Sequence, residues 1–179
     1  MHHPPIWLIA PALAAFVAAP AYAVQYMNIE QAQKQFFPQA ESFALSPQEL
    51  TNEQKAFVEK VAGVRMRYSK QPVWNALEKG KQVGWVVQDE VFGKHEFITY
   101  AVALDMAGTV LGVEILEYRE THGREIRNAN WRAQFHGKKH GAPLRLDNDI
   151  QNISGATLSC KHISEGVRRI LALHEAALK

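Results

Sequence analysis

Residues 83–118 read VGWVVQDEVFGKHEFITYAVALDMAGTVLGVEILEY, and this stretch indicates the architecture of the chain. Val, Ile, Tyr and Phe are concentrated in three runs, Val83 to Phe92, Phe97 to Leu104 and Val110 to Tyr118, which predict three β-strands. The breaks between the runs, at residues 93–95 and 106–108, are too short to hold a crossover helix. The sequence therefore predicts an antiparallel meander and argues against a Rossmann arrangement.

Two helices are predicted before these strands. Residues 28–37 carry apolar side chains at roughly helical spacing and are followed by Pro38, which ends the pattern. A second helix is marked at both ends. Thr51 with Gln54 three residues later forms a capping box, and Gly63 is a typical C-terminal cap.

The last predicted helix runs from about Leu158 to Ala177 and is amphipathic. Its apolar face consists of Cys160, Ile163, Val167, Ile170, Leu171 and His174. Its polar face consists of His162, Glu165, Arg168 and Arg169. The whole pattern predicts an α+β fold, in which an antiparallel sheet meander is packed by helices and a long C-terminal helix starts at a Ser-Gly-Ala-Thr turn.

The composition narrows the class of protein. A chain of 179 residues that is 47% hydrophobic can build a core, which excludes wholesale disorder. The 20 Lys+Arg and 18 Asp+Glu give a net charge of +2, so the charge of the chain is nearly balanced. Cys160 is the single cysteine, which excludes an internal disulfide framework, a CxxC zinc site and a CxxCH haem attachment.

The first 23 residues resemble a secretory signal. Ile6 to Ala19 is apolar and free of charged side chains, and Ala21 and Ala23 provide the small residues of a cleavage site after Ala23. Histidines stand where Lys or Arg is usual in the n-region, so an uncleaved membrane anchor remains an alternative. We expect a signal peptide at 1–23, a helical region at 24–80 and the main domain at 81–179. Export predicts a periplasmic protein and no nucleic-acid partner.

The segment Asp147 to Ser159 contains the strongest chemical signal. Its residues Ser154, Gly155, Ala156 and Thr157 form a turn that opens the last helix. Free backbone N–H groups and the positive end of the helix dipole at such a turn favour an anion, for example a phosphate. The simpler interpretation is that Ser154 or Thr157 is an ordinary N-cap and Gly155 a turn residue.

This Ser-Gly-Ala-Thr turn resembles the flavinylation motif of the FMN-binding domain family. Two further stretches are similar to the family: residues 112–123, a strand running into a Glu-Thr-containing loop, and residues 130–138, with its Trp, Gln-Phe and Gly-Lys spacing. The resemblance covers residues 97–171 and implies that Thr157 carries FMN through a phosphoester bond. It also implies a periplasmic FAD-dependent flavin transferase as partner.

The sequence also departs from the family pattern. The family often has an acidic residue six positions before the modified threonine, where this chain has Gln151, and the nearest carboxylate is Asp149. His122 replaces the usual proline, and Arg124-Glu125 replaces the Leu-Gly that often follows. These changes bear on recognition by the transferase and on the shape of the loop near the flavin, and they leave the acceptor hydroxyl in place.

Five other residues are candidate cofactor contacts. The resemblance implies that Glu120 and Thr121 hydrogen-bond the ring edge or the ribityl chain, and the alternative is that they are surface groups at a strand end. Trp131 or Phe135 can cover a ring face, or both can be core aromatics. Lys138 belongs to a basic stretch, residues 124–145, whose net charge of +5 either stabilises flavin anion and phosphate or is a solvated loop.

Metal and thiol chemistry are disfavoured. His136 and His140 are separated by a glycine and two lysines, a segment that opposes both helix formation and a bound cation, so no metal is expected. Cys160 on an apolar face is more consistent with a buried small hydrophobe than with a redox thiol.

The sequence thus predicts an electron carrier or subunit with one covalent FMN, placed between a membrane-bound redox donor and a periplasmic acceptor. It does not indicate a self-sufficient enzyme. Two alternatives remain: a module that binds FMN or another anion noncovalently, and a structural accessory of a membrane redox complex.

Overall fold

The computed structural model describes residues 24–179, so the predicted signal peptide at residues 1–23 lies outside the described part. A six-stranded antiparallel sheet has the order β1-β6-β5-β4-β3-β2. Its strands are β1 Val24–Gln25, β2 Ser42–Leu45, β3 Val73–Glu78, β4 Lys81–Phe92, β5 Phe97–Asp105 and β6 Val110–Tyr118. The α+β meander predicted from the sequence is confirmed, and β4 to β6 agree with the three predicted strands to within two residues.

The region of residues 24–80, which was expected to be helical, contains two helices and also supplies β1, β2 and β3 to the sheet. β3 and β4 are joined by a two-residue turn in which Lys79 and Gly80 have φ angles of 51° and 73°. Positive φ at both central residues is the mark of a type I′ turn, whose twist matches that of paired strands. A lysine at the first of these positions is an unusual signal, so the hairpin was missed.

The two N-terminal helices are α1, Ile29–Phe36, and α2, Asn52–Ala62. Thr51 caps α2 through the predicted capping box with Gln54, and Gly63 ends it in the left-handed conformation with φ 74°. α1 has a capping box too, made by Asn28 and Gln31. The local sequence therefore supplies the N-terminal cap of both helices.

The two faces of the sheet carry separate cores. The larger core includes Tyr100, Val102, Ile115 and Phe135, together with one face of the helix α4, Thr157–Leu173. The smaller core lies on the other face and is closed by α1. α4 continues into one π-helical turn, His174–Leu178. Within residues 24–179, no helix combines the length and apolar character that crossing a membrane requires.

The predicted apolar face of α4 is buried, as Cys160, Ile163 and Val167 illustrate. Arg169 was placed on the polar face, and this prediction is wrong: the side chain is 3% exposed. Its guanidinium donates to Oδ2 of Asp89 at 2.6 and 2.9 Å, and the Tyr100 hydroxyl donates to the same oxygen at 2.9 Å. The arginine is tolerated inside because Asp89 compensates its charge.

Candidate functional site

A cleft of about 810 Å³ lies where β6 ends and where the turn between β4 and β5 passes nearby. These two places share one end of the sheet because Ile98, at the start of β5, pairs with Tyr118, at the end of β6. The cleft is lined by Lys94, His95, residues 120–125 and residues 154–159. Its volume falls within the range of cofactor sites.

The start of α4 forms one wall of the cleft. Thr157 is the first residue of the helix and is exposed to solvent, and the N-cap residue Ala156 makes no side-chain cap. The first helical bond in this turn is from the Cys160 N–H to the Ala156 carbonyl, at 2.9 Å. The N–H groups of residues 157–159 therefore have no helical partner, as expected for a first turn. Capping of this helix by the Ser154 or Thr157 side chain, the simpler interpretation of the sequence, is not observed.

The turn before α4 requires glycine. Gly155 has a φ of +83°, a conformation in which any side chain is strained, and a Cβ there would meet nothing within 4 Å. Ser154 and Gly155 are both exposed. The turn is thus open on the side of the cleft, so an anion can approach the unpartnered N–H groups.

The loop after β6 packs tightly against the start of α4. The Tyr118 hydroxyl donates to the His122 carbonyl and lies 3.3 Å from Oγ of Ser159. Burial is the main cause that raises the pKa of Tyr118, so the phenol stays protonated as a donor. A Cβ at Gly123 would come within 2.6 Å of that hydroxyl oxygen and 2.9 Å of the Ala156 Cβ. Tyr118 thereby holds the loop after β6 against the start of α4.

Glu120 lies in the cleft lining but its carboxylate is already engaged. Oε1 accepts the backbone N–H of Lys94, that of His95 at 2.6 Å and that of Glu96 at 3.1 Å. Burial raises the pKa of Glu120, but the three backbone N–H groups outweigh it and hold the pKa below its ordinary value. Thr121, its neighbour, is exposed in the same lining. The structure therefore places both residues in the same cleft as the Ser-Gly-Ala-Thr turn.

The lining also contains charged and imidazole groups that the sequence analysis did not select for the site. Lys94, His95 and Arg124 are exposed at the cleft, together with His122 and Glu125. A signal for the first two was present in the sequence. Residues 93–95 form the break between two predicted antiparallel strands, and the end of the third strand returns to the same edge of the sheet.

Trp131 and Phe135 do not line the cleft. Both are buried in the larger core, where their rings meet edge to face with centroids 5.3 Å apart. The prediction that one of them covers a flavin ring is replaced by the core alternative. The Trp131 indole N–H donates to the Gln151 carbonyl at 2.7 Å, so this residue supports the segment that leads to the turn.

Lys138 is also outside the cleft lining, and it forms an ion pair with Asp149 at 3.2 Å. Asp149 further accepts the backbone N–H groups of Leu144 at 3.1 Å and Arg145 at 2.7 Å. Burial raises the pKa of Asp149, but these hydrogen bonds and the Lys138 charge lower it overall. The carboxylate of Asp149, the nearest to Gln151 in the sequence, is therefore already engaged by Lys138 and by backbone N–H groups of its own loop.

The basic stretch of residues 124–145 is divided by the fold. Arg132 pairs with Glu114 at 2.8 Å on β6, and Arg127 lies over the ring of Tyr26. Arg124 remains at the cleft. Cys160 is fully buried and burial raises the pKa of its thiol, so it behaves as the small core residue expected from its position.

The residues that line the cleft lie within a stretch that matches a known protein family. Residues 93–172 match the FMN-binding domain. This match identifies residues 93–172 as an FMN-binding domain. The matched residues run from the β4–β5 turn through the whole cleft and into α4. A comparison with curated proteins found no match.

The cleft of this FMN-binding domain fits its cofactor on physical grounds. The volume suits a ligand with several rings, the open turn at Gly155 suits a phosphate, and the lining offers both polar and apolar surface. A Cβ at Gly123 would narrow the cleft where the loop meets Ala156. Flavin binding is therefore supported by the family and by the geometry together.

Proposed function

We propose that the protein is an exported flavoprotein with one FMN attached to Thr157 by a phosphoester bond, and that it carries electrons. The observation that supports this most directly is the position of Thr157. Its side chain is exposed on the first turn of an uncapped helix, in the cleft that the FMN-binding domain forms beside this turn. A phosphodiester there keeps one negative charge, which the helix N-terminus stabilises.

Attachment requires a donor and a transferase. We infer that FAD is the donor: the Thr157 oxygen forms a bond to the FMN phosphorus, the pyrophosphate bond of FAD breaks, and AMP leaves. The proton of the hydroxyl passes to a base of the transferase or to water. Thr157 is then an anchor and takes no further part in turnover.

Bound FMN accepts one or two electrons, and the protein holds it and sets its potential. Arg124 and Lys94 are the cations of the cleft lining, and each favours an anionic reduced flavin. We propose that the electrons come from a membrane-bound redox protein and pass to a periplasmic acceptor. The signal-like sequence of residues 1–23 supports this placement.

A noncovalent alternative is favoured by one observation. Gln151 occupies the position where the family often has an acid, and Asp149 cannot substitute because it is bonded to Lys138 and to its own loop. If the transferase requires that acid, FMN would bind to the same turn without a covalent bond. A structural accessory of a membrane complex, with no flavin at all, is the remaining candidate.

Mass spectrometry after co-expression with the transferase separates the three. The covalent proposal requires the intact mass to rise by one FMN less one water, and this increment must vanish in Thr157→Ala and persist in Ser69→Ala, an exposed hydroxyl outside the cleft lining. Yellow protein without added mass would support noncovalent binding. Colourless, unmodified protein would support the accessory role.

Gln151 gives a second test of the same proposal. Gln151→Asp supplies the missing acid, so we expect a larger modified fraction at a fixed reaction time than in the wild type, whereas Gln151→Asn should leave it unchanged. Equal fractions in all three proteins would show that this position does not limit attachment.

A further inference from the structure

The turn between β4 and β5 contains a site for an anion that the chain fills itself. The backbone N–H groups of three successive residues, Lys94, His95 and Glu96, converge on Oε1 of Glu120. Successive N–H groups arranged in this way form a concave nest that binds anions. The occupant here is a carboxylate from the loop after β6, so the nest joins two separate parts of the cleft lining.

The surroundings leave this carboxylate little freedom. Glu120 is 6% exposed, and a Cβ at Gly93 would lie 2.5 Å from its Oε1. The other side of the turn is held by α4, because Nδ1 of His162 contacts the Phe92 carbonyl oxygen. The turn is thus fixed between the loop after β6 and the helix that bears Thr157.

We propose that Glu120 is a positioning residue: it holds the 93–96 turn as a wall of the flavin cleft and makes no contact with the flavin. Hydrogen bonds to an ionised acceptor are about twice as strong as neutral ones, and a lost carboxylate leaves three N–H donors without their partner. This inference rests on the proposed function for its consequence, and it replaces the direct ring contact that the sequence implied for Glu120.

Amide hydrogen exchange in the flavin-free Thr157→Ala chain tests whether Glu120 holds the 93–96 turn in place. Adding Glu120→Ala should speed amide exchange at residues 94–96 by on the order of tenfold or more, since hydrogen bonds to a charged acceptor are among the stronger ones in proteins. Sodium acetate should restore protection by filling the nest, and sodium chloride at equal ionic strength should not. Exchange in the core strands should stay unchanged, which shows that the chain is folded.

Glu117→Gln is the matched control, because Glu117 lies three residues earlier and pairs with Arg119 at the surface. We expect it to leave exchange at residues 94–96 as in the parent. Unchanged protection in Glu120→Ala, or protection lost without rescue by acetate, would overturn the proposal.

Flavin-loaded protein tests the consequence for the cleft. In Glu120→Ala, iodide should quench the flavin fluorescence more strongly than in the wild type, and acetate should reverse this change. Equal quenching in the two proteins would overturn the assignment even if the exchange result holds. If the intact mass shows that Thr157 of the wild type is never modified, the proposed covalent attachment is contradicted. The same quenching comparison is then made with free FMN added as the probe.

Discussion

The middle of α4 and its first turn differ in how their polar groups are satisfied. In the middle, Arg169 is buried and donates to Asp89, to the Glu90 carbonyl at 3.0 Å and to the Arg65 carbonyl at 2.7 Å. At the first turn, no side chain caps the helix and Thr157 is exposed. The helix is therefore anchored where polar groups are paired, and it is available for a ligand where they are not.

The largest effect on stability is expected from removing the buried ion pair between Arg169 and Asp89. Arg169→Met leaves Asp89 buried without its charge partner and should lower the free energy of unfolding by about 3–5 kcal/mol, measured by urea denaturation. Lys161→Met, which removes only an exposed pair 4.0 Å from Glu165, should cost less than about 1 kcal/mol. A similar loss in both variants would show that burial of the pair does not distinguish the two parts of the helix.

The next largest effect on stability is expected where the loop after β6 packs against the start of α4. Gly123→Ala combines a φ of +87° with contacts to Tyr118 and Ala156, and should destabilise the protein by about 2–4 kcal/mol. Gly155→Ala has the same backbone strain in open space, so we expect about 1–2 kcal/mol. Equal costs in urea titrations would mean that the packing of the loop against α4 adds nothing to its stability.

A smaller effect is expected at the C-terminal end of α4. Burial lowers the pKa of His174, whose Nε2 has no hydrogen-bond partner and whose ring meets Trp85 edge-on at 5.0 Å. The unfolded chain then takes up a proton at higher pH than the folded protein does. Stability should therefore be complete above the ordinary histidine pKa and should fall as the pH drops below it.

His174→Phe removes the titrating group and keeps a ring against Trp85, so it should flatten this part of the stability profile. Asp105 and Glu175 act on His174 with opposite sign to Lys179 and His140, and they are kept unchanged in this comparison. The exposed His136→Gln is the control, because His136 is not among the groups that act on His174, and it should retain the wild-type pH dependence. A flat profile in the wild type would contradict the prediction.

The smallest effect is expected on the midpoint potential of a flavin bound at the open turn, residues 154–157. Arg124→Gln should lower the midpoint potential of the bound flavin by about 10–40 mV in a spectroelectrochemical titration, the equivalent of a solvent-exposed charge interaction. Lys138→Gln removes a cation that pairs with Asp149 outside the cleft and should leave the potential unchanged. An unchanged potential in Arg124→Gln would remove this residue from the flavin environment.

The fold was predictable wherever the signal is local. The runs of β-branched and aromatic residues gave β4 to β6, and the capping box at Thr51 with Gly63 gave α2. β2 and β3 were missed because they are stabilised mainly by pairing with their neighbours, while their own patterns are short and irregular. Arg169 was misplaced because the residue type alone does not reveal a partner such as Asp89, which is distant in sequence.

The site was predictable in part for the same reason. The turn at residues 154–157 and Glu120 with Thr121 meet because one is a helix start and the other a strand end at the same edge of the sheet. Trp131 and Lys138 do not, because their surroundings are set by the packing of loops. The sequence marks Arg124 as a member of a charged stretch and as a departure from the family loop, and the fold places it in the cleft lining.

The position of Thr157 at the start of α4 also limits how far a group attached to it can move. Thr157 belongs to the helix itself, whose middle is fixed to the sheet by Arg169. A group bonded to it moves through the rotation of a few side-chain bonds, unlike one on a long swinging arm. Delivery to another molecule would therefore depend on direct collision with this end of the domain, and its rate should rise in proportion to the concentration of the recipient until that encounter saturates.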